Sequence, residues 1–277
     1  MTAEVLDIPA DEYHADTTSI SRSQGEVLRD DPALFFGMMN GLYQHESNDD
    51  LTFGNAIDEA IFGGRQIMEI PTEVLAKNGA RSGNAWKEFR EAHADKLLVK
   101  ADEPLKAVLH ALRSSPLAMG ILESEGHSQY TLRWPDLEFE VKRRARLDHF
   151  RTVKVPLIAD LKTSFTVDPK RFAKHAYELG YHRQVAWYQD AIHALAGMRP
   201  PFVFICCKKS PPYSVEVIEL DREFIELGRR QNQATLRRYL RCLESGQWVS
   251  PTHGKIITVG APTWAYADEQ WELDDAS

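Results

Sequence analysis

The stretch RARLD at Arg144–Asp148, separated by eleven residues from DLK at Asp160–Lys162, decides the fold of this chain. Both stretches alternate polar and apolar side chains, which is typical of strands with one buried face. The segment between them is polar, contains Pro156 and is short enough to reverse the chain. The sequence therefore predicts a hairpin in which Asp148 lies close to Asp160, with the lysine of DLK on the same face.

Two carboxylates and an ammonium group that converge in this way suit metal-assisted hydrolysis of a phosphodiester. Asp148 and Asp160 offer oxygen ligands to Mg²⁺ or Mn²⁺, and Mg²⁺ commonly takes only one or two protein carboxylates. Lys162 can orient the attacking water, or help to deprotonate it if burial beside a metal lowers the pKa of the lysine. The alternative is a solvated hairpin edge with a surface salt bridge, but the apolar run Pro156–Ala159 before the triplet favours a buried strand.

These residues resemble the motifs of the PD-(D/E)xK nucleases, in particular the RecE-type exonucleases, which are related to lambda exonuclease and to the RecB nuclease domain. Asp148 matches the first acid of that family, and DLK matches its (D/E)xK triplet. Gln184 and Tyr188 are four residues apart, hence on one helical face, and resemble the Q-x-x-x-Y helix that follows the catalytic strands in RecB-like members. The resemblance covers roughly residues 10–245 and implies that both side chains support the catalytic site.

The resemblance also implies further metal ligands. The sequence FGNAID at Phe53–Asp58 is similar to a helix that usually reads G-x-A-x-H and gives its histidine to the metal. Asp58 stands where that histidine is expected, and a carboxylate also ligates Mg²⁺. The third ligand is therefore either Asp58 or the neighbouring Glu59, and the backbone carbonyl of Leu161 is a possible extra ligand.

Four side chains are candidate DNA contacts. Arg144 and Arg146 belong to a dense basic run beside the proposed acids. Arg81 begins RSGNAW, which resembles an R-x-G-K-A-W segment of RecE-like domains, and could meet a phosphate, although an exposed arginine is the commoner explanation. His182 lies just before Gln184, but most histidines are surface groups or satisfied core groups.

Composition and charge limit the classes of function. The chain has 277 residues, 43% of them hydrophobic and 27% charged, which is ordinary for a globular protein with a sizeable core. No stretch approaches the roughly 18 apolar residues of a membrane span, and the N-terminus lacks the basic start of a secretion signal. These features predict a cytoplasmic protein with no membrane partner.

The net charge of −8 is unfavourable for a DNA-binding protein, because Lys and Arg supply the affinity for phosphates. The distribution of charge matters more than its sum. Basic residues cluster beside the proposed acids, whereas acidic residues concentrate in the tail from Asp268 to Asp275. The sequence thus allows a basic cleft on an acidic protein.

The three cysteines are predicted to be structural. Cys206, Cys207 and Cys242 cannot supply the four thiolates of an iron–sulfur cluster. The adjacent pair lies in an apolar run that reads as a strand, so Cys206 and Cys207 should point to opposite faces. This argues against the cluster-bearing relatives of the nuclease family.

The order of predicted elements indicates an α/β fold: a mixed central sheet flanked by helices, in the order αβββαβ of a restriction-endonuclease-like PD-(D/E)xK core, with an N-terminal helical extension. We divide the chain into an N-terminal segment packed on the core (1–50), the nuclease domain (51–250) and an acidic C-terminal tail (251–277). The predicted helices are about 54–62, 103–124, 169–179, 182–196 and 222–245. The predicted strands are 128–134, 138–150, 157–163, 201–208 and 214–220.

The resemblance implies a Mg²⁺- or Mn²⁺-dependent exonuclease that degrades one strand of double-stranded DNA from the 5′ end and leaves a 3′ overhang for recombination, as in phage systems. It also implies a homo-oligomer that acts on DNA ends together with a single-strand annealing protein. Two alternatives stay open. One is a structure-specific or restriction-like endonuclease on the same fold; the other is a non-catalytic DNA-binding module, which Asp58 in place of histidine favours and the intact acid–acid–lysine set disfavours.

Overall fold

The computed structural model describes residues 3–43, 49–63, 66–100, 104–250 and 252–261. Most of the predicted acidic tail, residues 262–277, lies outside the described residues. Within the described ranges, no helix has the length and apolarity needed to cross a lipid bilayer.

A six-stranded mixed sheet forms the centre of the molecule, and a two-stranded parallel pair stands apart from it. The strands are β1 (Glu4–Leu6), β2 (Ile67–Ile70), β3 (Leu97–Lys100), β4 (Gly126–Asp136), β5 (Val141–Arg151), β6 (Leu157–Ser164), β7 (Phe202–Lys208) and β8 (Val215–Glu219). The order in the large sheet is β1-β4-β5-β6-β7-β8. Neighbouring strands run antiparallel except β6 and β7, which run parallel. The pair β2–β3 is the smaller sheet.

The predicted hairpin is confirmed in β5 and β6. His149 pairs with Ala159, so the next position in the register places Asp148 opposite Asp160. The backbone ladder ends there, because the carboxylate of Asp148 accepts the hydrogen bond of the Leu161 N–H at 2.8 Å. The two acids therefore lie side by side where the strands begin to separate.

Ten α-helices surround the sheets in the described ranges: α1 (Ala10–Ala15), α2 (Arg22–Asp30), α3 (Pro32–Met39), α4 (Asp49–Phe62), α5 (Asn84–Ala92), α6 (Leu105–Arg113), α7 (Pro116–Leu122), α8 (Pro169–Glu178), α9 (Tyr181–Ala196) and α10 (Arg222–Ser245). Side-chain caps fix several helix starts. Asp168 accepts from the N–H of Arg171 at the start of α8, and Asp221 accepts from the N–H of Phe224 at the start of α10.

Each face of the large sheet carries its own apolar core. One core packs β4–β7 against α2, α8, α9 and α10, and the other packs β6 and β7 against α4, α6 and α7. Cys206 belongs to the first core and Cys207 to the second, so the prediction that they point to opposite faces is confirmed. The result is a three-layer α/β fold with the predicted order: α4, three antiparallel strands, α8 and α9, then β7.

The predicted single helix over residues 103–124 is wrong. Helix α6 ends at Arg113, and α7 begins at Pro116 with Ser115 as its cap. Proline has no N–H to continue a helical ladder, and its ring clashes with the preceding turn. Pro116 is favourable as the first residue of a new helix, so the chain breaks there.

Candidate active site

Asp160 lies at the centre of a buried polar cluster on β6. Its side chain is 1% exposed. Nε2 of Gln184, on α9, donates a hydrogen bond to Oδ1 of Asp160 at 2.5 Å, and the ammonium group of Lys162 forms an ion pair with Oδ2. The predicted contribution of Gln184 is thus visible as a direct contact that fixes the Asp160 carboxylate.

Three carboxylates influence one another at this point of the fold. Burial raises the pKa of Asp148 well above its ordinary value, and Asp160 and Asp58 raise it further. Burial also raises the pKa of Asp58 to about 7; Lys162 opposes this rise, while Asp160 and Glu59 add to it. The structure therefore brings Asp58, from the opposite core layer, to the two acids of the hairpin. The choice between Asp58 and Glu59 as the third ligand stays a prediction.

Lys162 is strongly held in its charged form. Burial would lower the pKa of the lysine, but Asp160 and Asp148 outweigh it and raise the pKa above its ordinary value. The lowered pKa expected of a lysine beside a bound metal stays a prediction. Both roles predicted for Lys162, orientation of the attacking water and removal of its proton, stay predictions with it.

The donor set fits a hard divalent cation. If all three aspartates are ionised, Lys162 leaves this buried cluster with two net negative charges, which is the charge that Mg²⁺ or Mn²⁺ would balance. In the described part of the chain, no three Asp, Glu, His or Cys side chains already stand at ligand spacing. Mg²⁺ does not require such a cage, because one or two carboxylates and several waters can complete its shell.

Two aromatic side chains complete the site. Burial raises the pKa of Tyr188 well above its ordinary value, and Tyr13, Asp160 and Asp148 act in the same direction. The charges of Asp160 and Asp148 therefore act on Tyr188, and its support of the catalytic site stays a prediction. The ring of Tyr181 lies 5.6 Å from the Lys162 ammonium group. No role was predicted for Tyr181 from the sequence, although its place three residues before Gln184 on one helical face was a usable signal.

Arg144 and Arg146, the two arginines of β5 predicted to contact DNA, are held by the N-terminal segment. Arg144 is 2% exposed; its guanidinium bonds to the carbonyl of Ser19 and lies 5.1 Å from the ring centroid of Tyr13. Arg146 donates to the carbonyl of Ile8 at 2.9 Å and to Oγ1 of Thr131 at 2.8 Å. Both arginines face partners within the protein, and a contact with DNA stays a prediction.

Arg81 and His182 contact partners other than the acids. Arg81 donates to the carbonyl of Leu98, at 3.4 Å, beside the small β2–β3 sheet. His182 is fully buried; its Nε2 is 2.8 Å from Oε1 of Gln231, and its ring stacks on Phe224 at a centroid distance of 4.7 Å. The structure therefore shows a core histidine between helices, and the DNA-binding roles of Arg81 and His182 stay predictions.

We expect Asp58→Asn to flatten the pH dependence of stability in EDTA. The pKa of Asp58 is about 7 in the folded chain against 3.8 for an ordinary aspartate. The folded state holds a proton that the unfolded state releases, so this stabilisation is full below pH 3.8 and is lost as the pH rises through about 7. Thermal unfolding measured in EDTA should therefore show a falling Tm over this range, less steep in Asp58→Asn.

Glu59→Gln is the matched control for this prediction. Added Mg²⁺ should raise the Tm of the wild type and of Glu59→Gln near neutral pH, because a ligand that binds the folded state stabilises it. The same addition should raise the Tm of Asp58→Asn less. An unchanged metal response in Asp58→Asn together with a lost response in Glu59→Gln would identify Glu59 as the ligand instead.

Comparisons with known proteins agree with this fold. A family model described as a PDDEXK-like domain of unknown function (DUF3799) matches residues 21–256. The chain resembles the crystal structure of a protein from Eubacterium rectale described as a "putative exonuclease", with a TM-score of 0.63, 14% identity, and coverage of 94% of this chain and 98% of that chain. SSO0001 aligns with a TM-score of 0.30 and 13% identity over 67% of this chain and 84% of that chain, too distant for any inference. No curated protein matches the sequence.

Proposed function

This chain belongs to the family of PDDEXK-like domains, and on that premise we propose that it is a metal-dependent deoxyribonuclease. The observation that carries the proposal is the convergence of Asp148, Asp160 and Lys162, with Gln184 bonded to Asp160 at 2.5 Å. Acidic oxygens beside a charged lysine are the groups that phosphodiester hydrolysis needs. The family and the geometry together support a role of these residues in DNA hydrolysis more than the alternative, in which they form only a surface salt bridge.

Each residue of the site has its own proposed role in hydrolysis. Asp148, Asp160 and the carbonyl of Leu161 would hold Mg²⁺ or Mn²⁺, with Asp58 beside them, and the cation would supply charge neutralisation at the phosphate. Lys162 would donate hydrogen bonds to the attacking water or to a phosphate oxygen. Gln184 restrains the Asp160 carboxylate to one orientation. Tyr188 shields the acids from bulk water.

We further propose that the enzyme is an exonuclease that degrades double-stranded DNA from a 5′ end and leaves a 3′ overhang for recombination. The support is the resemblance of its DLK and Q-x-x-x-Y segments to RecE-type enzymes. The description of the Eubacterium rectale protein as an exonuclease agrees with it. A homo-oligomer and a single-strand annealing partner are proposed on the same resemblance.

Digestion of matched linear and closed circular duplex DNA tests the proposal. We expect Mg²⁺ or Mn²⁺ to support loss of the linear DNA alone, with a label at the 5′ end released first, and EDTA to stop it. Lys162→Ala, which keeps the acids, should be far slower. Cutting of the circle would show an endonuclease instead, and binding without cleavage would leave a non-catalytic module.

A further inference from the structure

An exposed phenylalanine stands close to the proposed catalytic lysine. Phe165 follows Lys162 by three residues, in the loop between β6 and α8, and its side chain is 69% exposed. Three extended residues span about 10 Å, which equals roughly three steps of one strand of duplex DNA. A strand whose phosphate lay at the acids would therefore pass within reach of this ring.

The loop holds Phe165 outward through a set of hydrogen bonds. The hydroxyl of Ser164 donates to the carbonyl of Thr166 at 2.7 Å and accepts from the Thr166 N–H at 3.2 Å. The N–H of Asp168 donates to Oγ1 of Thr166 at 3.2 Å. From the neighbouring strand, the N–H of Lys209 donates to the carbonyl of Ser164 at 3.1 Å. The ring is thus displayed by a restrained loop.

Basic residues flank the loop that carries the ring. We call Lys170, Arg171, Lys208 and Lys209 the basic rim: the first two lie in the first turn of α8 next to the loop, Lys208 ends β7 opposite Ser164, and Lys209 follows it. The single acid in residues 163–173 and 208–210 is Asp168, whose carboxylate caps α8. A local excess of cations in a chain of net charge −8 points to an anionic partner.

One face of the Phe165 ring is covered by a lysine side chain. The ammonium group of Lys209 lies 4.3 Å from the ring centroid of Phe165, as a cation–π contact. This contact orients the ring, and the high exposure of the side chain leaves room against its other face. A flat apolar surface framed by cations matches a nucleic-acid strand, which offers flat bases and regularly spaced phosphates.

We propose that Phe165 is a base-stacking residue that receives an unpaired base of the DNA strand a few nucleotides from the scissile phosphate, while the basic rim contacts the neighbouring phosphates. The inference rests on the proposed deoxyribonuclease function and names the part of the substrate that this face recognises. It gives the site a preference for frayed or single-stranded DNA at the mouth of the acidic cluster. Stacking is tolerant of sequence, because every base has a π face.

Binding of a short single-stranded oligonucleotide that carries the fluorescent base 2-aminopurine, measured in EDTA to prevent metal-dependent cleavage, tests this inference. Phe165→Ala is expected to weaken binding roughly 5- to 150-fold, the range found when a stacked aromatic is removed, and to abolish the quenching of the base. Phe165→Trp should keep both. The wild type should bind a duplex with a frayed end more tightly than a blunt duplex of the same length.

Leu137→Ala is the matched control, since Leu137 is 82% exposed on the turn between β4 and β5. That turn lies about 20 Å along β5 from Asp148. Removal of the Leu137 side chain should therefore leave binding of the oligonucleotide unchanged. Equal binding by Phe165→Ala and the wild type would overturn the stacking role even if the enzyme cleaves DNA. Wild-type protein that binds and quenches but never cleaves would refute the nuclease proposal and leave the stacking role standing.

Discussion

Replacement of Asp160 by asparagine is expected to slow DNA cleavage about 10³-fold or more while the protein stays folded. Asparagine keeps the shape and one acceptor oxygen for Gln184, but it removes the charge that would hold a divalent cation. Loss of metal-based charge stabilisation at the phosphate costs several kcal/mol of transition-state stabilisation, about 10³-fold in rate. Steady-state cleavage of linear duplex DNA, with circular dichroism to verify the fold, measures the effect.

Asp221→Asn is the matched control for this prediction. It makes the same chemical change at an exposed helix cap, and asparagine caps helices as well as aspartate does. We expect the control to cleave at the wild-type rate. Full activity in Asp160→Asn would remove Asp160 from the metal site, and an unfolded Asp160→Asn protein would shift the test to Lys162→Ala, which leaves the Asp160–Gln184 contact in place.

The sequence predicted the hairpin site because the information there is local. Alternation along β5 and β6 sets which side chains share a face, and a short turn sets the register. Spacing on one helix likewise placed Gln184 and Tyr188 together. The contact of Gln184 with Asp160 confirms that these local patterns point to one polar cluster.

Other parts of the site depend on chain segments distant in sequence. The approach of Asp58 to Asp148 requires α4 to pack on the far face of β6, which was expected only through the resemblance of FGNAID to a family motif and not from spacing or periodicity. The basic run was read as a DNA-binding surface, yet Arg144 and Arg146 are held by the carbonyls of Ser19 and Ile8. A charged side chain on a buried strand predicts that some group binds it. Tertiary contacts decide whether that group belongs to the protein or to its substrate.

The pKa of Lys162 could not be predicted from the sequence for a different reason. The lowered pKa predicted beside a bound metal stays a prediction; among the protein groups alone, the value depends on the balance between burial and nearby carboxylates. Here Asp160 and Asp148 dominate. Residue types alone do not give that balance, because it is set by distances and burial that only the folded chain defines.

Gly228→Ala is expected to destabilise the protein by roughly 3 kcal/mol and to lower the Tm by roughly 5–10 °C. Helix α10 crosses α9 at Gly228, and a Cβ atom there would lie 2.2 Å from the carbonyl oxygen of His182 and 2.8 Å from the backbone nitrogen of Arg183. Both obstacles are backbone atoms, so the helices must move apart. Nδ2 of Asn232 donates to the carbonyl of Arg183 at 2.9 Å, and the same movement would strain this hydrogen bond.

Gly120→Ala supplies the matched control, because a Cβ atom at this exposed helical position in α7 meets nothing within 4 Å. Alanine there should be neutral or stabilise by up to about 1 kcal/mol. Thermal unfolding of both variants separates close helix packing from the general effect of adding a methyl group, and equal Tm values would contradict the packing argument.

Since α9 carries Gln184, displacement of α9 in Gly228→Ala should also loosen the contact with Asp160. We therefore expect slower cleavage by Gly228→Ala even well below its Tm, and wild-type cleavage by Gly120→Ala.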